Sequence, residues 1–136
     1  MSVSDQDLLD VAKKYAANAY APLSNYHVGA ALLCRDAAGN ERIIGGCNFE
    51  HIILSLSNCA ERVAIQTAMA EGLRTIEAVA VYTVSSPPAA PCGSCRQMLH
   101  SFKVGRVIMG NDRGEIRIST LSELLPLAFD LEGPVR

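Results

Sequence analysis

Three of the cysteines restrict this chain more than any other feature. Cys92 and Cys95 are spaced C-x-x-C in the stretch "APCGSCRQ", and Cys59 stands in "NCAERVAI", just ahead of an apolar helical face. All three therefore sit where helices begin, and a fold that uses them together must bring two helix starts side by side. The chain has 136 residues and five cysteines, an odd number, with no signal segment ahead of them, so metal binding or catalysis is a better use for some than a disulfide framework.

The rest of the chain supplies a scaffold of the right kind. Ser4 with Asp7 forms a capping-box pattern, and Leu8, Val11, Ala12, Tyr15 and Ala19 recur at helical spacing up to Pro22. Extended apolar runs from Tyr26 to Cys34 and from Arg42 to Phe49, joined through Ala37-Ala38-Gly39-Asn40, predict an antiparallel hairpin. Ala60 to Glu71 is Ala-rich, carries Val63, Ala64, Thr67 and Ala68 on one face, and stops at Gly72. A buried-strand run from Ala78 to Val84, a helix from Ser94 to Phe102 and a strand from Arg106 to Gly110 predict a right-handed parallel crossover. After the turn Asn111-Asp112-Arg113-Gly114 come a short strand, Glu115 to Ile118, and a last helix capped by Thr120 with Glu123. The expected fold class is α/β, with a five-stranded mixed sheet and helices on both faces, in a single domain over residues 1–136.

Charge and length exclude several kinds of function. Twelve basic against 14 acidic residues give a net charge of -2, and no basic run interleaves with aromatics, so no nucleic-acid partner is expected. The acidic N-terminus "MSVSDQDLLD" has no leader character, and no apolar stretch is long enough to span a membrane, which predicts a soluble, cytoplasmic protein without a membrane partner.

Zinc takes about four ligands in tetrahedral geometry, so thiolates from Cys59, Cys92 and Cys95 leave one position for water, as a catalytic site requires. Glu61, two residues past Cys59, can face that position without being a ligand, and the natural work for a carboxylate there is to move protons. Three thiolates overcharge one divalent cation, and two helix N-termini together with Arg62 or Arg96 offer compensation. Cys34 and Cys47 lie within apolar strand runs and read as ordinary buried thiols. His27, His51 and His100 share no ligand-like spacing and read as surface or packing residues.

C-x-x-C alone also marks thiol redox sites and half of a zinc ribbon. Paired with C-A-E upstream and a proline before the first cysteine downstream, it matches the zinc-deaminase pattern with Cys in the His position. The chain resembles the small, Cys-ligated, homotetrameric cytidine deaminase family over nearly its whole length, through "AYAPLSNYHVGAALL", "GCNFE", "CAERVAI", "PCGSCRQ" and "ELLPLAF". The resemblance implies a three-layer α/β/α deaminase sandwich, one zinc ion per chain held by Cys59, Cys92 and Cys95, and Glu61 as proton shuttle. It implies that Asn48 and Glu50 hold the ribose 3′-hydroxyl, that Tyr26 and Phe129 pack on the pyrimidine, that the Ala60 backbone contacts the base and that Arg62 neutralises the ligand thiolates. It also implies a homotetramer with pockets shared between subunits, Phe129 being among the shared residues, and a role in pyrimidine salvage. The family usually reads Asn-Val-Glu-Asn-Ala, followed two residues on by Tyr, where this chain has Asn48-Phe49-Glu50-His51-Ile52-Ile53-Leu54. Polar groups near the sugar's 5′ side are thereby replaced by apolar ones, and Tyr26 stands where Phe is usual.

The expected activity is zinc-dependent hydrolytic deamination of cytidine or deoxycytidine to a uracil nucleoside and ammonia. The competing readings are a deaminase of a modified cytosine nucleoside, N4-substituted or of the blasticidin S type, and a non-enzymatic structural zinc module. The last gains nothing from Glu61 and normally closes its fourth ligand position.

Overall fold

The computed structural model of the chain describes residues 2–130. The single-domain expectation over 1–136 also takes in Met1 and residues 131–136, which lie outside the described residues. Helix α1 (Asp5–Ala16) opens at Ser4, whose hydroxyl accepts the Asp7 N–H while the Asp7 carboxylate accepts the Ser4 N–H. It ends short of Ala19 because the N–H groups of Asn18 and Ala19 turn back to the nearer carbonyls of Tyr15 and Ala16. Strands β1 (Gly29–Arg35) and β2 (Glu41–Cys47) form the expected hairpin, followed by α2 (Ala60–Ala70), β3 (Thr75–Thr83), α3 (Gly93–Ser101), β4 (Arg106–Asn111), β5 (Ile116–Thr120) and α4 (Leu121–Leu124).

The sheet runs in the order β2-β1-β3-β4-β5, and β3 and β4 are its parallel pair. Because β2 and β3 both pair antiparallel to β1 between them, they run in the same direction. The chain leaves both at one edge of the sheet, so α2 and α3 start at that same edge, where α/β sheets commonly bind ligands. The chain topology thus meets the requirement that the cysteines impose.

Strand alternation builds a core on each face. Ala30, Leu32 and Cys34 of β1 pack with Val79 and Val81 of β3, Val107 and Met109 of β4, and Ala64 and Ile65 of α2. Ala31 and Leu33 face the other way, with Ala78, Ala80 and Ile108, onto Leu8, Leu9 and Ala12 of α1. Each fully buried Leu, Ile or Val contributes roughly 2 kcal/mol, so both helical layers are firmly seated. Cys34 is fully buried, and burial pushes its thiol up to about 11. Cys47 is half-buried, and burial raises its thiol as well.

One glycine sets the position of α2. A Cβ on Gly46 of β2 would stand 2.6 Å from the Ala64 nitrogen and 2.7 Å from the Ala60 carbonyl oxygen. The helix backbone therefore rests directly on the strand, which only a residue without a side chain permits.

The last helix is a single turn. Its capping box, Thr120 with Glu123, is present as expected, but Arg96 takes the Leu124 carbonyl at 2.7 Å and the chain leaves the helix at Leu125. Among the described residues no helix is long and apolar enough to cross a membrane.

Candidate active site

Cys59 is the N-cap of α2 and Cys92 the N-cap of α3, and neither sulfur caps its own helix. Cys95 follows in the first turn of α3 and is buried. The three sulfurs lie within 4.8 Å of one another, with Cys59 and Cys92 3.9 Å apart. Tetrahedral zinc with bonds of about 2.3 Å needs sulfurs roughly 3.8 Å apart. The donor set and its spacing therefore fit zinc, and they offer three ligands rather than four.

The electrostatics support an anionic sulfur cluster. The Arg62 Nη2 donates to Cys59 Sγ at 3.2 Å, and the buried Arg62 Nε has no partner among the described residues. Cys59 is drawn down to about 5 by a hydrogen bond from the Cys95 thiol and then by Arg62, against the opposing effect of burial. Cys95 is raised by giving that hydrogen bond and by its own burial. The first thiolate of the coupled pair thus belongs to Cys59, and the others form as a cation displaces their protons. Of the two arginines considered for this task, Arg62 reaches a sulfur. Arg96 instead donates its Nε to the Pro91 carbonyl and its Nη1 to that of Leu124, both at 2.7 Å, so it braces the loop ahead of Cys92.

Glu61, in the first turn of α2, is only 4 % exposed. Burial pushes its carboxyl up to about 7; the Cys59 thiolate adds to the rise, and its own backbone N–H and Arg62 oppose it. It lines a cavity of about 360 Å³ together with Cys59, Cys92, Ala60 and Arg62. Tyr26, Asn48 and Glu50 line the same cavity.

Phe129 does not join them. It is 68 % exposed on the surface, its carbonyl held by Gln97 Nε2 at 2.9 Å.

Asn48 and Glu50 also organise the cavity wall. Asn48 Oδ1 accepts the Val28 N–H at 2.9 Å, and its Nδ2 donates to the Tyr26 carbonyl at 2.8 Å. Glu50 Oε1 accepts the N–H groups of Leu23 and Ser24, each at 3.0 Å, and Oε2 accepts the Ser24 hydroxyl. These bonds hold the Glu50 carboxylate below its usual range, the Ser24 hydroxyl contributing most.

Sequence reasoning missed Thr83, Ala89 and Ala90, which also line the cavity. Thr83 ends β3, and small loop residues such as Ala89 and Ala90 carry no pattern of their own, although their place just before Cys92 was a usable signal. Neither His51 nor His100 joins the sulfur cluster: His51 Nδ1 accepts the Ile53 N–H at 3.0 Å, and His100 Nε2 lies 3.2 Å from Asp130.

A five-stranded α/β fold that presents three sulfurs and a buried glutamate at paired helix starts defines a zinc-binding protein with a catalytic type of site. Residues 2–111 match the family described as cytidine and deoxycytidylate deaminase zinc-binding region, and the chain belongs to that family. It is 40 % identical over 129 residues to a cytidine deaminase of Sporosarcina psychrophila, covering 93 % of this chain and 92 % of the relative. The crystal structure of a cytidine deaminase from Burkholderia pseudomallei superposes with a TM-score of 0.85 at 38 % identity, covering 93 % of this chain and 99 % of that one. A more distant relative is a blasticidin-S deaminase of Bacillus cereus, 26 % identical over 137 residues, 95 % of this chain and 94 % of the relative.

Metal analysis of the purified protein is expected to give about one zinc per chain, the capacity of a single cluster of donors. A folded and active sample without zinc would overturn that stoichiometry.

Proposed function

We propose that the protein deaminates cytidine and deoxycytidine hydrolytically, giving the uracil nucleoside and ammonia. The observation that carries this reading is the placement of Glu61, buried and lining the same cavity as the sulfur cluster. When bound by Cys59, Cys92 and Cys95, zinc supplies Lewis-acid activation of the attacking water. Glu61 takes a proton from that water as its oxygen adds to C4 of the base. It delivers that proton to N3, then takes the remaining proton from the hydroxyl now on C4 and gives it to the amine as C4=O forms and the C4–amine bond breaks, so that it ends in its starting state. Arg62 offsets the thiolate charge through its hydrogen bond to Cys59.

The Ala60 backbone lines the base end of the cavity, and Tyr26 packs on the ring. Asn48 and Glu50 face the sugar, and the ionised Glu50 at that end favours a free hydroxyl over a phosphate. A free nucleoside is therefore the substrate rather than a nucleotide or a polynucleotide.

The exposed Phe49, Ile52, Ile53 and Leu54 near the cavity mouth support assembly into a homotetramer in which Phe129 completes a neighbour's pocket. A cytoplasmic role in pyrimidine salvage accords with this substrate. The distant blasticidin-S deaminase relative keeps a modified-cytosine substrate as the second reading.

The deciding experiment is a steady-state comparison of cytidine, deoxycytidine, N4-substituted cytidines and blasticidin S, with zinc content measured alongside. Cytidine or deoxycytidine should have the highest kcat/KM; a clear preference for an N4-substituted compound or blasticidin S would replace this reading with the second. Glu50→Ala should lower kcat/KM for cytidine by roughly 10- to 100-fold, the effect of losing a hydrogen bond to a charged acceptor. An unchanged value would show that Glu50 only fastens the Leu23–Ser24 turn.

A further inference from the structure

The part of the cavity that follows β2 is lined by Asn48, Phe49, Glu50, Leu54 and Ser57. A sugar can be held there only by hydrogen-bonding groups that the chain has not already used. Nearly all of them are used.

The Ser57 hydroxyl accepts the His51 N–H at 2.9 Å and donates to the His51 carbonyl at 3.3 Å. The Ser24 hydroxyl accepts the Tyr26 N–H at 3.0 Å and donates to Glu50 Oε2. With the Leu23 and Ser24 N–H groups on Oε1, Glu50 has received three donors, and an ionised carboxylate offers about four acceptor positions. One position remains, on Oε2. Asn48 Oδ1 accepts the Val28 N–H, and one Nδ2 hydrogen goes to the Tyr26 carbonyl, which leaves the other amide hydrogen free. The main-chain N–H groups of Asn48, Phe49, Glu50, Ser57 and Asn58 are spent on carbonyls within the chain. Asn58 also borders the cavity, but its Nδ2 donates to Gln66, an exposed residue of α2, at 2.7 Å. Phe49 and Leu54 bring no hydrogen-bonding side chain, and Phe49 is stacked on Tyr20 with ring centroids 5.6 Å apart.

What is left is one acceptor on Glu50 and one donor on Asn48, the complement of a single hydroxyl group. We infer that the cavity recognises one hydroxyl of the sugar and leaves the other two without a polar partner, so that its substrates include nucleosides deoxygenated at either of those two positions. The inference rests on the proposed deaminase reading, which puts the base at Glu61 and the sugar at Asn48 and Glu50. That reading accepts deoxycytidine and so sets the 2′-hydroxyl aside; the inference adds that one of the 3′- and 5′-hydroxyls is dispensable too. Space for the unheld positions is available, since the cavity shares Glu50, Leu54 and Ser57 with a second depression of about 420 Å³. Phe129, which the proposed assembly adds, has no hydrogen-bonding side chain either.

The test measures kcat/KM for cytidine and its 2′-, 3′- and 5′-deoxy forms on zinc-loaded protein, and calorimetric binding of the four matching uridines. One deoxy compound should lose roughly 10- to 100-fold in both measurements, the value of a hydrogen bond to a charged acceptor. The other two should stay within about threefold of the parent, because they forfeit no protein partner. Glu50→Ala should bring the sensitive compound to within about threefold of its parent as well. Unfolding midpoints show whether that variant folds, and the series on the unaltered protein decides alone if it does not. Losses of tenfold or more at two positions, or at none, would overturn the single-hydroxyl site. Absence of turnover with all four cytidines would instead overturn the deaminase reading and leave the uridine series to judge the sugar site by binding; uridines that fail to bind would overturn that site as well.

Discussion

Glu61→Gln is expected to keep the fold and the bound zinc while lowering kcat/KM by about a thousandfold, within the usual reach of general acid–base catalysis. Glutamine fills the same volume at a position only 4 % exposed, so neither packing nor the sulfur cluster has reason to change. What it lacks is a site that can accept and return a proton. The same side chain serves both N3 and the leaving amine in the proposed sequence, so no single step can be rescued while the other fails. A thousandfold loss corresponds to about 4 kcal/mol of transition-state stabilisation, too much to assign to a displaced solvent molecule. Activity within tenfold of the unaltered enzyme, in a zinc-loaded and folded sample, would remove Glu61 from the mechanism.

Gly46→Ala should be strongly destabilising although it lies outside the site. Its new carbon would press on main-chain atoms of Ala60 and Ala64 at 2.7 and 2.6 Å, and main chain cannot swing aside as a flexible side chain can. Overpacking of this kind costs about 3 kcal/mol. Relief requires the first turn of α2 to lift away from β2, and that turn begins at Cys59 and contains Glu61. Urea unfolding should show the lost stability, and competition with a zinc chelator should show weaker metal retention by the same variant. A normal denaturation midpoint would mean that α2 is held by its other contacts and that the tight approach is incidental.

Much of this arrangement was legible in the residues because local chemistry agreed with the global fold. Both capping boxes, Ser4 with Asp7 and Thr120 with Glu123, form as written in the sequence. The alternation of β1 sends Leu32 to one core and Leu33 to the other, as an interior strand of a three-layer fold requires. Misreadings fell where side chains took over the work of backbone ladders. Tyr26, His27 and Val28 read as the start of a strand, yet β1 begins at Gly29, because Asn48 supplies the partners for the Val28 N–H and the Tyr26 carbonyl. The end of the last helix could not be read for a similar reason, since Arg96 holds the Leu124 carbonyl from a distant part of the chain. Arg96 itself was unreadable: its sequence position beside Cys95 suits a thiolate donor as well as a loop brace, and only the fold chooses between them.

The shared edge at which α2 and α3 begin also bears on local stability. The sulfurs of Cys59 and Cys92 belong to residues 33 positions apart, with α2 and β3 between them. A bound metal would therefore act as a staple that removes the freedom of the intervening segment. Stripped of metal, the sheet and α1 keep their own apolar cores, whereas the opening turns of α2 and α3 lose the clasp between them. Amide exchange should then quicken first at Glu61 to Val63 and at Cys95 to Gln97, leaving β1 and β3 protected.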